Sequence, residues 1–233
     1  MAKTLLQIIK QITGEEKLPV PLVVLASDDQ TVVHLTSLTV AAMDDLMNEF
    51  DWQQMVRPYT FTTVAGTDTY TLPTDYLRAI KQTFWQNAQN RPMNGSINPE
   101  GWGFLNHSPN GSVNAQFRIV GNRIQVYPMP AAAITYSFQY IASSCIWDPT
   151  IQNYKSDFSL DSDQPAFNSR CLTNFVKYKY MQIMGFDTQA ALEDFSQSLM
   201  IAKGADVPAP ILSAVPAGSM KMIGLDNLPD FRS

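Results

Sequence analysis

Three carboxylates are the first residues in this sequence that could do chemistry. Asp157, Asp161 and Asp163 lie in one short stretch, and two carboxylates held several Å apart suffice to hydrolyse a glycosidic bond. Acids at alternate positions also begin a calcium loop, but Asp161-Ser162-Asp163 lacks the further ligands and the glycine that such a loop needs. A plainer role weighs more. Asp161 and Asp163 stand just before a helix expected to begin near Pro165, where short acids cap free backbone N–H groups and suit the helix dipole. Asp28 is expected to do the same for an earlier helix.

Other chemistry finds less support. His34 and His107 are the only histidines, and neither has a Cys, His or carboxylate at a metal-ligand spacing. Cys145 and Cys171 form no CxxC and read as two buried thiols of a reducing compartment. No Gly-x-Ser-x-Gly elbow and no phosphate loop with Gly-Lys-Ser or Gly-Lys-Thr is present. No metal, cofactor or enzymatic activity is therefore expected. Aromatic side chains remain as a binding surface. Trp85, Trp102 and Trp147, with Tyr127 and Tyr140, fall in or beside β-prone segments and could stack on sugars or bases if exposed. Strand alternation assigns most of them to a core face; Trp102, among glycines in Glu100–Phe104, is the one to watch for exposure.

The elements that must position these residues follow from hydrophobic period. Thr4–Ile12 carries Leu5, Leu6, Ile8, Ile9 and Ile12 and should stop at Gly14. Ser27 with Gln30 has the spacing of a capping box, and Val32, Leu35, Leu38, Ala42, Leu46 and Phe50 then form an amphipathic stripe ending near Trp52. From Tyr59 the period becomes two: Tyr59–Val64, Tyr70–Leu72 and Tyr76–Gln86 read as strands. A polar loop is expected from Asn87 to Asn114. Phe117–Tyr127 is a hairpin about Gly121-Asn122, and Ile134–Tyr140 is a half-buried strand. Two more helices follow, one with Phe167, Cys171, Phe175, Tyr178 and Met181 inward, the next with Leu192, Phe195, Leu199 and Ala202, capped by Gly204. The expected class is α+β. Helices from residues 1–57 and 158–204 pack together, residues 58–157 form an inserted antiparallel sheet, barrel- or sandwich-like, and residues 205–233 make an extended tail.

That tail contains Pro208, Pro210, Ile211, Leu212, Val215, Met220, Met222 and Phe231 with no period. Too apolar for a solubilising tail and too irregular for a core of its own, it is expected to dock on another chain and order there, with packing back onto its own domain as the alternative. The whole chain has 233 residues, an apolar fraction of 45%, a mean hydropathy of -0.12 and a net charge of -5. It can fold, has no run long enough to span a bilayer, and lacks the clustered basic residues that grip nucleic acid. The opening MAKTLLQIIKQITGEEK has neither a long apolar stretch nor a small-residue cleavage site, which argues against a signal peptide.

Taken in order, several segments carry a resemblance. They are Asp51-Trp52 at a helix end, Tyr59–Thr63, Ala65-Gly66-Thr67-Asp68-Thr69-Tyr70-Thr71-Leu72-Pro73-Thr74-Asp75-Tyr76, Trp85, and Gly95 ahead of Pro99 and Trp102. The hairpin Phe117–Tyr127 with Pro128-Met129-Pro130, Tyr136–Tyr140, Phe158, Asp161 and Asp163 complete the series. Over residues 4 to 204 the chain resembles the head-to-tail adaptor proteins of tailed bacteriophages, the group of tail tubular protein A. The segment from Asn87 to Asn114 departs from that pattern. The resemblance implies a non-enzymatic virion protein at the head–tail junction, assembled in the host cytoplasm. Its partners would be the portal protein, copies of itself in a ring of about twelve, and the next tail or nozzle protein. DNA would pass through the lumen without specific binding. Two rivals are kept beside this reading: a carbohydrate- or receptor-binding tail module, and a hydrolase using the Asp cluster.

Overall fold

In a computed structural model the described residues are 3–107 and 115–206. The tail residues Pro208, Pro210, Ile211, Leu212, Val215, Met220, Met222 and Phe231 lie outside them. The chain opens with helices α1 (Leu5–Glu15) and α2 (Gln30–Glu49) and a short 3-10 turn at Gln53–Met55. Strands β1 (Val56–Thr62), β2 (Thr69–Thr71), β3 (Tyr76–Ala79), β4 (Trp85–Gln86) and β5 (Arg91–Pro92) follow, then helix α3 (Pro99–His107). Next come β6 (Gln116–Val120), β7 (Arg123–Tyr127), β8 (Thr135–Ala142), β9 (Ile146–Asp148), β10 (Asn153–Lys155) and β11 (Gln164–Pro165). The antiparallel helices α4 (Ser169–Met184) and α5 (Gln189–Asp206) end the described chain. The class is α+β with antiparallel sheets, and none closes into a barrel.

Local chemistry shifts several boundaries from those read in sequence. Helix α1 runs through Gly14, and the left-handed step after it is taken by Lys17 at φ 57°. The cap of α2 is Asp29, whose carboxylate accepts from Thr31 N at 2.8 Å; Asp28 does not cap it, because Ser27 Oγ accepts from Asp29 N and turns the chain one residue later. Helix α2 stops at Glu49 rather than near Trp52, and the Trp52 indole N–H turns back to donate to Leu46 O at 2.7 Å. Gln82 at φ 63° breaks the segment Tyr76–Gln86 into β3 and β4. The stretch expected as one polar loop holds β5 and α3. Gln164–Pro165 joins a sheet, so α4 starts only at Ser169, and Gly204 lies inside α5.

Two cores result. The aliphatic one joins Leu5, Ile8, Ile9 and Ile12 of α1 to Leu35, Ala42 and Leu46 of α2 and to Leu172 and Val176 of α4. The aromatic one lies between two sheets. β1 pairs with β8 from Val56↔Ile141 to Thr62↔Thr135, and β4 and β3 also pair with β8; the second sheet has the order β2-β7-β6. Phe84 stacks between Phe117 of one sheet and Phe138 of the other, at centroid distances of 3.8 and 4.3 Å. Strand β8 serves both cores. Its alternation sends Tyr136, Phe138 and Tyr140 to the aromatic side, while Ile141 packs into the helical core.

Arg78 on β3 ties the sheet to the end of α2. Its guanidinium donates to Met47 O at 2.8 Å and Phe50 O at 3.0 Å and pairs with Asp51 at 2.8 Å. These are carbonyls that the helix itself leaves unsatisfied. On the other side of the junction, Trp52 meets Phe167 edge-on at 5.9 Å.

Candidate interaction site

The acids singled out in sequence are drawn into the fold. Asp163 is fully buried; its carboxylate accepts from Ser159 N and Leu160 N at 2.8 Å each and pairs with Lys155 Nζ at 2.7 Å. Lys155 also pairs with Asp148 at 2.7 Å, so one ammonium bridges two carboxylates. The hydrogen bond from Lys155, with that of Thr150 N behind it, holds the Asp148 carboxyl below its usual range. Burial alone would lower the Lys155 pKa, but the bonds to Asp148 and Asp163 outweigh it and raise it. The triad is a fixed strut under the loop from Lys155 to Asp163.

Asp161 does something different. Its two carboxylate oxygens accept from Val24 N and Leu25 N at 2.9 Å and so clamp the loop between α1 and α2. Neither Asp161 nor Asp163 caps α4; Asn168 does, accepting from Arg170 N and Cys171 N. Their backbone carbonyls meet a different helix: Leu5 N donates to Asp163 O and Leu6 N to Asp161 O, closing the first turn of α1. Sequence proximity to α4 hid this, because α1 lies far away in the chain. A Lys within ten residues of three acids was the available hint of an ion cluster. Asp157 is exposed and outside the triad.

The thiols are free and buried, and burial pushes Cys145 up to about 12 and Cys171 to about 11. A thiol held protonated in this way is a poor nucleophile. Tyr140 is also pushed up to about 12, by burial and by its 2.8 Å hydrogen bond to Asp75, which also accepts from Ser144 Oγ. His34 lies 6.2 Å from Tyr180, between α2 and α4, and His107 is exposed at the end of α3. Among the described residues no three His, Cys, Asp or Glu side chains converge as metal ligands.

The aromatic side chains are mostly structural too. Trp102 is buried, with the Arg118 guanidinium 4.6 Å above its ring, because α3 folds its glycine-flanked segment onto the sheet. Trp85 is the half-exposed one, over a shallow hollow with Gln82, Thr83 and Gln139. Trp147 meets Tyr154 edge-on at 5.1 Å on the small sheet β10-β9-β11.

What the surface offers instead is apolar. At the turn between α4 and α5, where Gly185 takes a left-handed φ of 74° as the cap of α4, Ile183, Met184 and Phe186 are exposed. Val33 of α2 shares a hollow with Met184, and Leu192 begins the outer side of α5. Met200 and Ile201 stand exposed further along that helix. Side chains of this size, grouped on helices whose inner faces are already packed, are the usual mark of protein–protein contact. No helix among the described residues is long and apolar enough to cross a membrane.

The described residues form a mixed α+β chain whose polar clusters hold its own loops and whose helices carry exposed apolar groups, a surface suited to contact with other proteins. The comparison with known families is specific: the model of the SU10 adaptor protein family matches residues 4–209, and the chain belongs to that family. It is thus a bacteriophage structural adaptor and a virion component. No curated protein matches the chain.

Proposed function

We propose that this adaptor, of the tail tubular protein A kind, forms a ring beneath the portal at the head–tail junction and that DNA leaves the capsid through its lumen. The family match over residues 4–209 carries the reading. The apolar groups at the α4–α5 turn and along α5 supply surface of the kind that a neighbouring subunit or the portal would cover. A closed ring needs two unlike, complementary faces on each copy. The helical hairpin offers an apolar one; Asp45 and Glu49 of α2 are already paired with its Lys179 and Lys203 and are not the second. A net charge of -5 suits a channel that lets DNA slide, since tight binding would require basic clusters. The role is structural, and the chain catalyses nothing in it.

Light scattering after size exclusion, on the protein alone and mixed with the portal of the same phage, tests this. A complex carrying about a dozen copies supports it; a chain that ignores the portal overturns it. The tail with Pro208 to Phe231 is proposed as the portal-docking part. Because α5 continues to Asp206, the informative truncation begins at residue 207. It should leave the chain folded and weaken docking, and undiminished docking would remove the tail from the proposal.

A further inference from the structure

Two hollows adjoin where the helices meet the small sheet. The larger, of about 440 Å³, is lined by Lys3, Trp52, Phe167, Arg170 and Ala202 among others, with Asp206 at the last described turn of α5. The smaller, of about 290 Å³, has Trp147 and Tyr154 in its wall. Gln54, Pro165 and Ala166 line both, which makes them one groove.

The end of α5 is pinned at this groove. Asp206 Oδ2 accepts from Gln53 N at 2.7 Å, and the next residue, Gln54, is shared by the two hollows. The chain that leaves Asp206 reads Val207-Pro208-Ala209-Pro210-Ile211-Leu212. Alternating prolines favour an extended left-handed conformation that is bound without much loss of freedom, and grooves walled by Trp and Tyr are the usual receptors for it. At about 3.1 Å per residue, five residues reach about 15 Å, comparable to two hollows of these volumes laid end to end. The aromatic wall is firmly held. Trp147 meets Tyr154 edge-on, and the Arg57 guanidinium covers the Tyr154 ring at 4.6 Å.

We propose that residues 207–212 of this same chain lie along the groove, with Pro208 and Pro210 over the first hollow and Ile211 against Trp147 and Tyr154. The starting point decides for the chain's own segment over a partner's: the segment enters the groove from the residue that lines it, so docking closes no long loop. The consequence is that, of the tail proposed above to dock on the portal, only the part from Val215 to Phe231 is left to reach it, starting from the small sheet and not from the tip of α5.

The test uses the full-length protein with Ile211 replaced by the photo-cross-linking residue benzoylphenylalanine, in a mixture of isotope-labelled and unlabelled chains. Irradiation followed by peptide mapping should place the cross-link on Trp147, Tyr154 or Gln54 within chains of one label. Trp147→Ala should lower the yield several-fold while the circular dichroism stays that of the parent. A cross-link to a chain of the other label would give the groove to a neighbouring copy and overturn the proposal. So would a cross-link elsewhere, or none. Either failure leaves the adaptor reading standing, because the portal takes no part in the measurement.

Discussion

The helical and the sheet regions bury their apolar groups by different means. Around α1, α2 and α4 the core is aliphatic, with Leu5, Ile8, Ile9, Leu35 and Leu46 fully or almost fully buried on stripes of helical period. Between the sheets it is a slab of rings, with Phe84 stacked between Phe117 and Phe138. The outer surfaces differ as well. In the sheet region the exposed large apolar groups are spread over strands, α3, hairpin tips and loops, at Val64, Leu77, Trp85, Phe104, Val120, Met129 and Ile151. In the helical region several gather at the α4–α5 turn and along α5. The aliphatic half thus groups its exposed apolar side chains where the proposed partners would cover them, while the aromatic half buries its rings between its own sheets.

The sharpest way to break that contrast is to remove a ring from the slab. Phe138→Ala takes away a side chain that touches the Phe84 ring and lies on the strand shared by both cores. Such truncations cost about 3–5 kcal/mol, and denaturant unfolding followed by far-UV circular dichroism should show a loss in that range. A loss of under about 1 kcal/mol would mean that the slab repacks and is less self-contained than its stacking implies.

The fully buried Asp163 should come next. Asp163→Ala leaves Lys155 with Asp148 as its one carboxylate and strips Ser159 N and Leu160 N of their acceptor, a change of about 3 kcal/mol for a broken buried pair. The remaining pair gives a pH signature. Asp148 has a depressed folded pKa, so its contribution is present above the unfolded carboxylate value of about 4 and is lost as pH falls through the folded one. Lys155 has a raised folded pKa, so its contribution is complete below about 10 and is lost as pH rises through its folded value. A melting temperature flat between those limits and falling outside them is expected for the parent, and in Asp163→Ala the alkaline fall should begin earlier. An identical alkaline limb in both proteins would exclude the bridging role of Lys155.

How much of this was readable in advance follows from the range over which each device acts. The stripes of α2 and α4 and the hairpin at Gly121, which takes a left-handed φ of 58°, depend on neighbours a few residues away, and their period exposed them. The acids were misassigned for the opposite reason. Asp161 and Asp163 do have capping chemistry nearby in sequence, but three-dimensional proximity gave their carbonyls to α1 and their carboxylates to Val24, Lys155, Ser159 and Leu160. Trp102 looked exposable because glycines surround it; the helix it belongs to turned it onto Arg118. Pro165 signals a helix start only while nothing else claims the segment, and here β9 claims it. The family resemblance rested on the order of such local pieces, which is why it was visible although the pairings between them were not.

The smallest expected effect decides whether the two regions are one cooperative unit. Arg78 reaches across from β3 to the end of α2, to Met47 O, Phe50 O and Asp51. Its side chain and that of Asp51 are both partly open to water, so the ion pair itself contributes little. The two carbonyl bonds matter more, and Arg78→Ala should cost about 1–2 kcal/mol. The more telling quantity is the shape of the transition. Ile141 sits in the helical core while Tyr140 beside it sits in the aromatic one, so a chain backbone already couples the two without Arg78. Unfolding should therefore stay a single transition, with tryptophan fluorescence and far-UV circular dichroism superimposed. If the probes separate in Arg78→Ala, the guanidinium and not strand β8 is what joins the aromatic half to the helical half.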